Sequence, residues 1–553
     1  MKTRREFLEF MGQGMASGAL LTQLPLLSGC QLTNKQKVFT SSSGIPHLPR
    51  QFKDEFKLVE GLDAYHLILS GDPINSQGDT FGSHPDFISY LPFDSSNPDE
   101  GYLWVNHEYF HPSFISGFQR KQDLSSKTLE QIRLEKKEVG GSLLHIRKDS
   151  VTKKWGIVPD EKINRRYDGF TTIPFSSGQA ELQGPAEGTL GNCCGGLTPW
   201  GTFLTCEENF HHFYGNVKFG PQGRQVVPAK HPMAWDRRAP RPPEHYGWVC
   251  EINPRTFEAT KITALGRFAH EGATVVQAKD GRTVVYMGDD QEDECFYKFV
   301  SARPGSLREG ILYVAVFDQN PGESDGGRGR WEPLTRDRGE FKKVFKTQTE
   351  LLIRTREAAR IVGGTPLDRP EDCEVDKKTN NVYLSCTNNK KRLRPHGYIL
   401  KVAERDGDFQ SLDFEWSVFI RGSWDQKNLS CPDNLGFDKQ GNLWVLSDMP
   451  DDEMETYSKL GNNSLFYVPM TGKSQGQIFR LAAGPIDSEL TGIWFAPDGE
   501  TVFLSVQHPG SSSASERPED LTSNWPRGGS SLPLSSVVVL QGPLLKKLLS
   551  NPV

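Results

Sequence analysis

Beyond its first thirty residues the chain has no apolar run long enough to cross a bilayer, and it has no surplus of basic residues. Lysine and arginine number 64 against 70 aspartates and glutamates, a formal charge of −6. A protein that grips nucleic acid through its phosphates carries the opposite balance, so that partner is excluded. The sequence also lacks the usual catalytic signatures. There is no nucleophile elbow of the Gly-x-Ser-x-Gly type, and Gly472-Lys473-Ser474 has Tyr467 where a phosphate-binding loop needs its first glycine. His107-Glu108-Tyr109-Phe110-His111 matches the zinc-protease pattern in letters alone, because it follows a strand-like run and meets Pro112, whereas that chemistry needs both histidines on one helix face.

What is present points to short strands and many turns: 54 glycines, 36 prolines and 11 tryptophans in 553 residues. Residues 1–30 read as an address. Arg4-Arg5 with Phe7-Leu8 opens a twin-arginine export signal, and Leu27-Ser28-Gly29-Cys30 resembles a lipobox whose cysteine is acylated, which would tether the chain to a membrane surface. The expected location is the periplasm or cell surface. Residues 31–60 read as a linker and 61–545 as one domain.

Six times a turn is followed by a short apolar strand that runs into polar residues, at Gly101, Gly201, Gly281, Asn380, Gly441 and Gly499. In the last five repeats a second strand-like segment begins roughly ten residues upstream, one short strand and a turn away. Strand, turn, strand, repeated radially, predicts an all-β fold: a β-propeller of about six blades with long insertions at 110–190 and 305–365. The second insertion carries a Gly- and Arg-rich stretch at 322–330 and a predicted helix at 347–361.

The upstream segments open on Cys193-Cys194, His270-Glu271, Pro370-Glu371, Pro432-Asp433 and Glu489. If they are the innermost strands, these openings converge at one mouth of the channel. Acids gathered there repel one another unless a cation neutralises them, and hard oxygen ligands suit calcium. A thiolate does not, so Cys193 in the cluster would point to a softer or redox-capable metal such as iron. A buried thiol, or pairing with Cys194, is the competing reading. Cys206, Cys250, Cys295, Cys373 and Cys386 read as buried free thiols in or beside strands. Arg369 could clamp a phosphoryl oxygen beside Glu371.

Asn192-Cys193-Cys194-Gly195-Gly196-Leu197-Thr198-Pro199-Trp200 with Thr205-Cys206-Glu207-Glu208-Asn209 resembles a signature of the PhoX family of bacterial alkaline phosphatases. So do Asn106-His107-Glu108, Gly266-Arg267-Phe268-Ala269-His270-Glu271, Gly288-Asp289-Asp290, Asp368-Arg369-Pro370-Glu371-Asp372, Pro432-Asp433-Asn434 and Gln507-His508-Pro509-Gly510. The resemblance implies an exported propeller phosphatase, expected as a monomer acting on small-molecule phosphate esters through calcium and iron. It implies Cys193 as an iron ligand; Glu207, Glu271, Glu371 and Asp433 as metal ligands, together with Glu108, Asp289 and Glu489; and Arg369 and Glu371 as catalytic groups. A calcium-dependent propeller acting on lactones or phosphotriesters would share the acidic channel without needing Cys193. A noncatalytic binding propeller is the alternative from another class.

Overall fold

Apolar runs such as Val284-Val285-Tyr286-Met287 are buried along their whole length, as strands covered on both faces must be. The computed structural model describes residues 44–425, 429–450 and 457–550; the expected export signal at 1–30, with Cys30, lies outside them. Six inner strands, Pro85–Asp94, Asn192–Leu197, His270–Gln277, Pro370–Asp376, Pro432–Phe437 and Glu489–Phe495, touch one another in sequence order and close into a ring. Each starts an antiparallel fan of at least four strands. The sixth fan is completed from the N-terminal side: Asp63–Leu69 pairs with Ser536–Gln541 and fastens the two ends of the domain together. The propeller expected from the repeats is therefore present, with six blades.

Part of the second insertion belongs to the sheets. Gly326–Pro333 pairs on one side with Gly310–Phe317 and on the other with Asp413–Arg421, which fuses the third and fourth blades into one nine-stranded sheet. Its glycines permit the close pairing: a Cβ added at Gly329 would stand 2.2 Å from the Phe414 ring. The helix expected at 347–361 is two, Gln348–Ile353 and Thr355–Ile361, broken at Arg354 by a non-helical backbone. Within the stretch read as a linker, Ile45 and Leu48 are buried, and Lys57–Leu58 adds a fifth strand to the fifth blade.

All six inner strands carry the same irregularity. Between Pro85 and Ile88, Asn192 and Gly195, Glu271 and Thr274, Pro370 and Cys373, Pro432 and Leu435, and Thr491 and Trp494, three steps on the inner strand face two on its neighbour. This is a β-bulge, which bends a strand and re-aims the side chains beside it. It recurs at the same height around the channel.

Candidate metal centre

The bulge decides what each blade presents at the mouth. Asp86, Cys193, Glu371 and Asp433 each follow the last regular pair of their strands, and Glu271 occupies the last paired place in its own. The residue before the bulge takes a left-handed backbone at His84 (φ 42°), Arg369 (φ 55°) and Cys431 (φ 50°), each preceding a proline. Non-glycine residues avoid that region at a cost of about 1–2 kcal/mol, and such strain gathers where function fixes a geometry.

The ligand atoms form three overlapping groups, each within 4.8 Å: Asp86, Glu108 and Cys193; Cys193, Glu208 and Glu271; Glu271, Glu371 and Asp433. Cys193 links the first two and Glu271 the last two. Glu108 and Glu208 come from the neighbouring strands, one residue past the ends of Asn97–His107 and Phe203–Glu207. The Cys193 thiol donates to Asp86 Oδ2 at 3.2 Å, and Gln507 Nε2 donates to the same oxygen at 2.6 Å. Asp86 Oδ1 is buried without a partner. Both oxygens of Glu271 are also buried without a bonded partner, although the Cys193 thiol lies near.

Burial, foremost, holds Asp86, Glu208, Glu271, Glu371 and Glu489 well above the usual carboxylate range. It pushes Glu108 to about 7 and Asp433 to about 8; the charge of Asp448 adds to both, while hydrogen bonds with Glu208 and Glu489 pull them partly back. Glu108 faces Glu208, and Asp433 faces Glu489, closely enough to share a proton. A thiol crowded by carboxylates, with three carboxylate oxygens of Asp86 and Glu271 left unpartnered, is a donor set that fits cations.

Arg369 reaches the same place. Its Nε and Nη2 grip the two oxygens of Asp290 at 2.9 and 2.8 Å, Nη2 stands 2.8 Å from Glu371 Oε1, and Nη1 is 3.8 Å from Asp448. The side chain remains 23% exposed, so a substrate can meet it.

Two expected ligands stand elsewhere. Glu207 is wholly buried against Lys261 Nζ at 2.7 Å and accepts the backbone N–H groups of Leu190, Gly247 and Trp248. Its carboxylate is occupied, and Glu208 takes its place. Asp289 is gripped by Arg356 and accepts the Ala269 N–H, while the next residue, Asp290, meets Arg369. Glu489 borders the cluster beside His508, whose Nε2 is 3.4 Å from its Oε2. The zinc-protease letters dissolve: His107 bonds Ser83 and Ser142, and His111 bonds Ser113 and Ser513.

The Lys261–Glu207 pair has a consequence for stability. Lys261→Met would strand the buried Glu207 carboxylate, and breaking such a pair costs about 3–5 kcal/mol. Urea unfolding should register that loss, with metal content per folded chain unchanged.

Residues 43–510 match the family described as alkaline phosphatase PhoX. The chain belongs to the PhoX family. It is similar to PhoX of Pseudomonas fluorescens, solved in complex with vanadate, a transition state analogue: 30% identity, a TM-score of 0.79, and coverage of 90% of this chain and 97% of that one. A gluconolactonase of Xanthomonas campestris is aligned at 10% identity and a TM-score of 0.34, over 90% of this chain and 98% of that one. No curated protein sequence matches. As a PhoX-family alkaline phosphatase the protein is a metal-dependent hydrolase of phosphate monoesters, which leaves the lactonase, phosphotriesterase and binding-propeller alternatives without support.

Proposed function

We propose that the mouth of this PhoX propeller holds calcium and iron, and that Arg369 receives the phosphoryl group there. The observation that carries the reading is Glu271: a fully buried carboxylate with two unbonded oxygens, placed between a group that contains a thiol and a group of oxygens alone. Asp86, Glu108, Cys193, Glu208 and Glu271 suit iron, because a thiolate is a soft ligand. Glu271, Glu371 and Asp433 suit calcium, which takes oxygen. Bound there, the two metals would neutralise the acids and supply Lewis acidity toward a phosphoryl oxygen.

The remaining steps fall to the chain itself. Asp290 and Glu371 fix the guanidinium fork from two sides, and Nη1, more loosely held at 3.8 Å from Asp448, is the edge that turns to meet a phosphoryl oxygen. Gln507 fixes Asp86 and Glu108 by donating to both, and the Thr387 hydroxyl fixes Glu371 by donating to its Oε1 at 2.8 Å. The Pseudomonas relative, solved with vanadate as a transition state analogue, supports a site that receives a phosphoryl group. The paired arginines at 4–5 and the Leu27-Ser28-Gly29-Cys30 end support action after export, in the periplasm or at the cell surface, with a lipid on Cys30.

The acid cluster gives the metal-free protein a distinctive pH response. Glu108 titrates near 7 and Asp433 near 8 in the fold, against about 4 for an unfolded carboxyl. Between those values the folded state holds more protons than the unfolded state, so stability falls as pH rises. Chelated protein should therefore melt at a lower temperature at pH 8 than at pH 5, and calcium should restore the loss at pH 8. Differential scanning calorimetry reads both effects; a chelated protein more stable at pH 8 than at pH 5 would contradict the cluster.

A further inference from the structure

Arg267, in the Gly266-Arg267-Phe268 motif, takes no part in the chemistry above. Its side chain is 6% exposed, and its bonded partners are uncharged: Nε donates to Tyr246 O at 2.7 Å, and Nη2 to Pro243 O at 2.9 Å and Asn216 Oδ1 at 3.1 Å. Among the described residues no carboxylate stands within ion-pair distance of it. The nearby acids are engaged, Glu244 by Arg224 and Glu207 by Lys261. The guanidinium lies 4.6 Å over the Phe210 ring, which offsets part of the cost of burying it, but its charge is left without a counter-ion, a cost that an anion able to reach it would relieve.

One can. Arg267 opens onto a cavity of about 350 Å³ between the hairpin Asn216–Val227 and the helix Thr355–Ile361, within the range of about 300–1,000 Å³ usual for small-molecule sites. Lys218, exposed on that hairpin and likewise without an ion pair among the described residues, lines the same space. Arg354 and Arg356 also line it, already matched by Glu350, Glu357 and Asp289. The other wall is apolar, from Phe219, Phe268 and Ile353, with Arg354 lying 4.6 Å over the Phe219 ring. The cavity is set apart from the metal mouth by Asp289, which Arg356 holds on its cavity side, and Asp290, which Arg369 holds on the other.

We infer that this cavity is a second anion site, which takes an organic phosphate or phosphonate with its head at Arg267 and Lys218 and its apolar body against Phe219 and Phe268. The site does not depend on which metals occupy the mouth, and its test is independent of catalysis. Phenylphosphonate is a suitable probe, since its carbon–phosphorus bond is not an ester. Calorimetric titration of the metal-loaded full chain should find one more class of binding site in the wild type than in Lys218→Glu, or else the same two classes with one weakened at least tenfold. Arg267→Gln should behave alike, provided it folds. Lys218 lies on an exposed hairpin, so its variant keeps the test open if the buried arginine cannot be replaced. Equal numbers of sites with equal affinities in the wild type and a folded Lys218→Glu chain would overturn the inference.

Discussion

Cys193→Ser should lose iron and leave less than about one per cent of the wild-type phosphatase activity, while Cys194→Ser keeps both. The two cysteines are adjacent, yet the bulge sends their sulfurs to different surroundings. Cys193 lies among Asp86, Glu108, Glu208 and Glu271. Cys194 is buried beside Phe87 and Trp104, with Asp372 as its polar neighbour. Neither forms a disulfide. A serine hydroxyl at 193 would have to be deprotonated against the charge of four acids and would still be a hard ligand. Loss of a supporting partner one shell out already costs 10–100-fold in metal affinity, so loss of the ligand itself should cost more. Elemental analysis and p-nitrophenyl phosphate turnover on the two variants separate the outcomes, and equal tolerance of both substitutions would refute the assignment of the thiol.

Arg369→Ala should lower kcat/KM for p-nitrophenyl phosphate by roughly 10²–10³, the usual price of removing one donor aimed at developing charge. Arg369→Lys should recover little, because an ammonium cannot span Asp290 and still offer an edge to the substrate. Metal content should be less affected than activity, since Arg369 is not a ligand. The variant also frees Asp290 and Glu371 from their shared cation, so calcium affinity is expected to rise, not fall. A lysine variant with wild-type kcat/KM would show that the guanidinium merely balances charge.

The repeats exposed the fold because each blade buries the same short apolar strand behind the same turn, and this survives in sequence without help from distant contacts. The ring of openings was legible for the same reason. One-residue offsets were not. Successive strand residues face opposite ways, so choosing Glu207 over Glu208, or Asp289 over Asp290, picks the wrong side of the chain, and the partners that occupy the first of each pair, Lys261 and Arg356, are 54 and 67 residues away. Asp86 escaped for another reason. The first blade opens with strands of 10 and 11 residues, so its inner strand starts farther upstream than in the other repeats. Its Pro85-Asp86 is nonetheless the same proline-acid opening as Pro370-Glu371 and Pro432-Asp433, and that pairing was the available signal. The Gly- and Arg-rich stretch at 322–330 reads in sequence only as part of an insertion, because its strand is joined to partners on both sides through backbone contact, which composition does not display.

The central claim is that one channel mouth binds both a thiolate-loving and an oxygen-loving metal and uses them on phosphate monoesters. Elemental analysis of the purified chain, with p-nitrophenyl phosphate hydrolysis measured at alkaline pH on the same sample, tests it most directly. Iron and calcium should be found together in the active protein, with activity lost on removal of either. Calcium-replete protein that contains no iron and does not cleave the ester would contradict it.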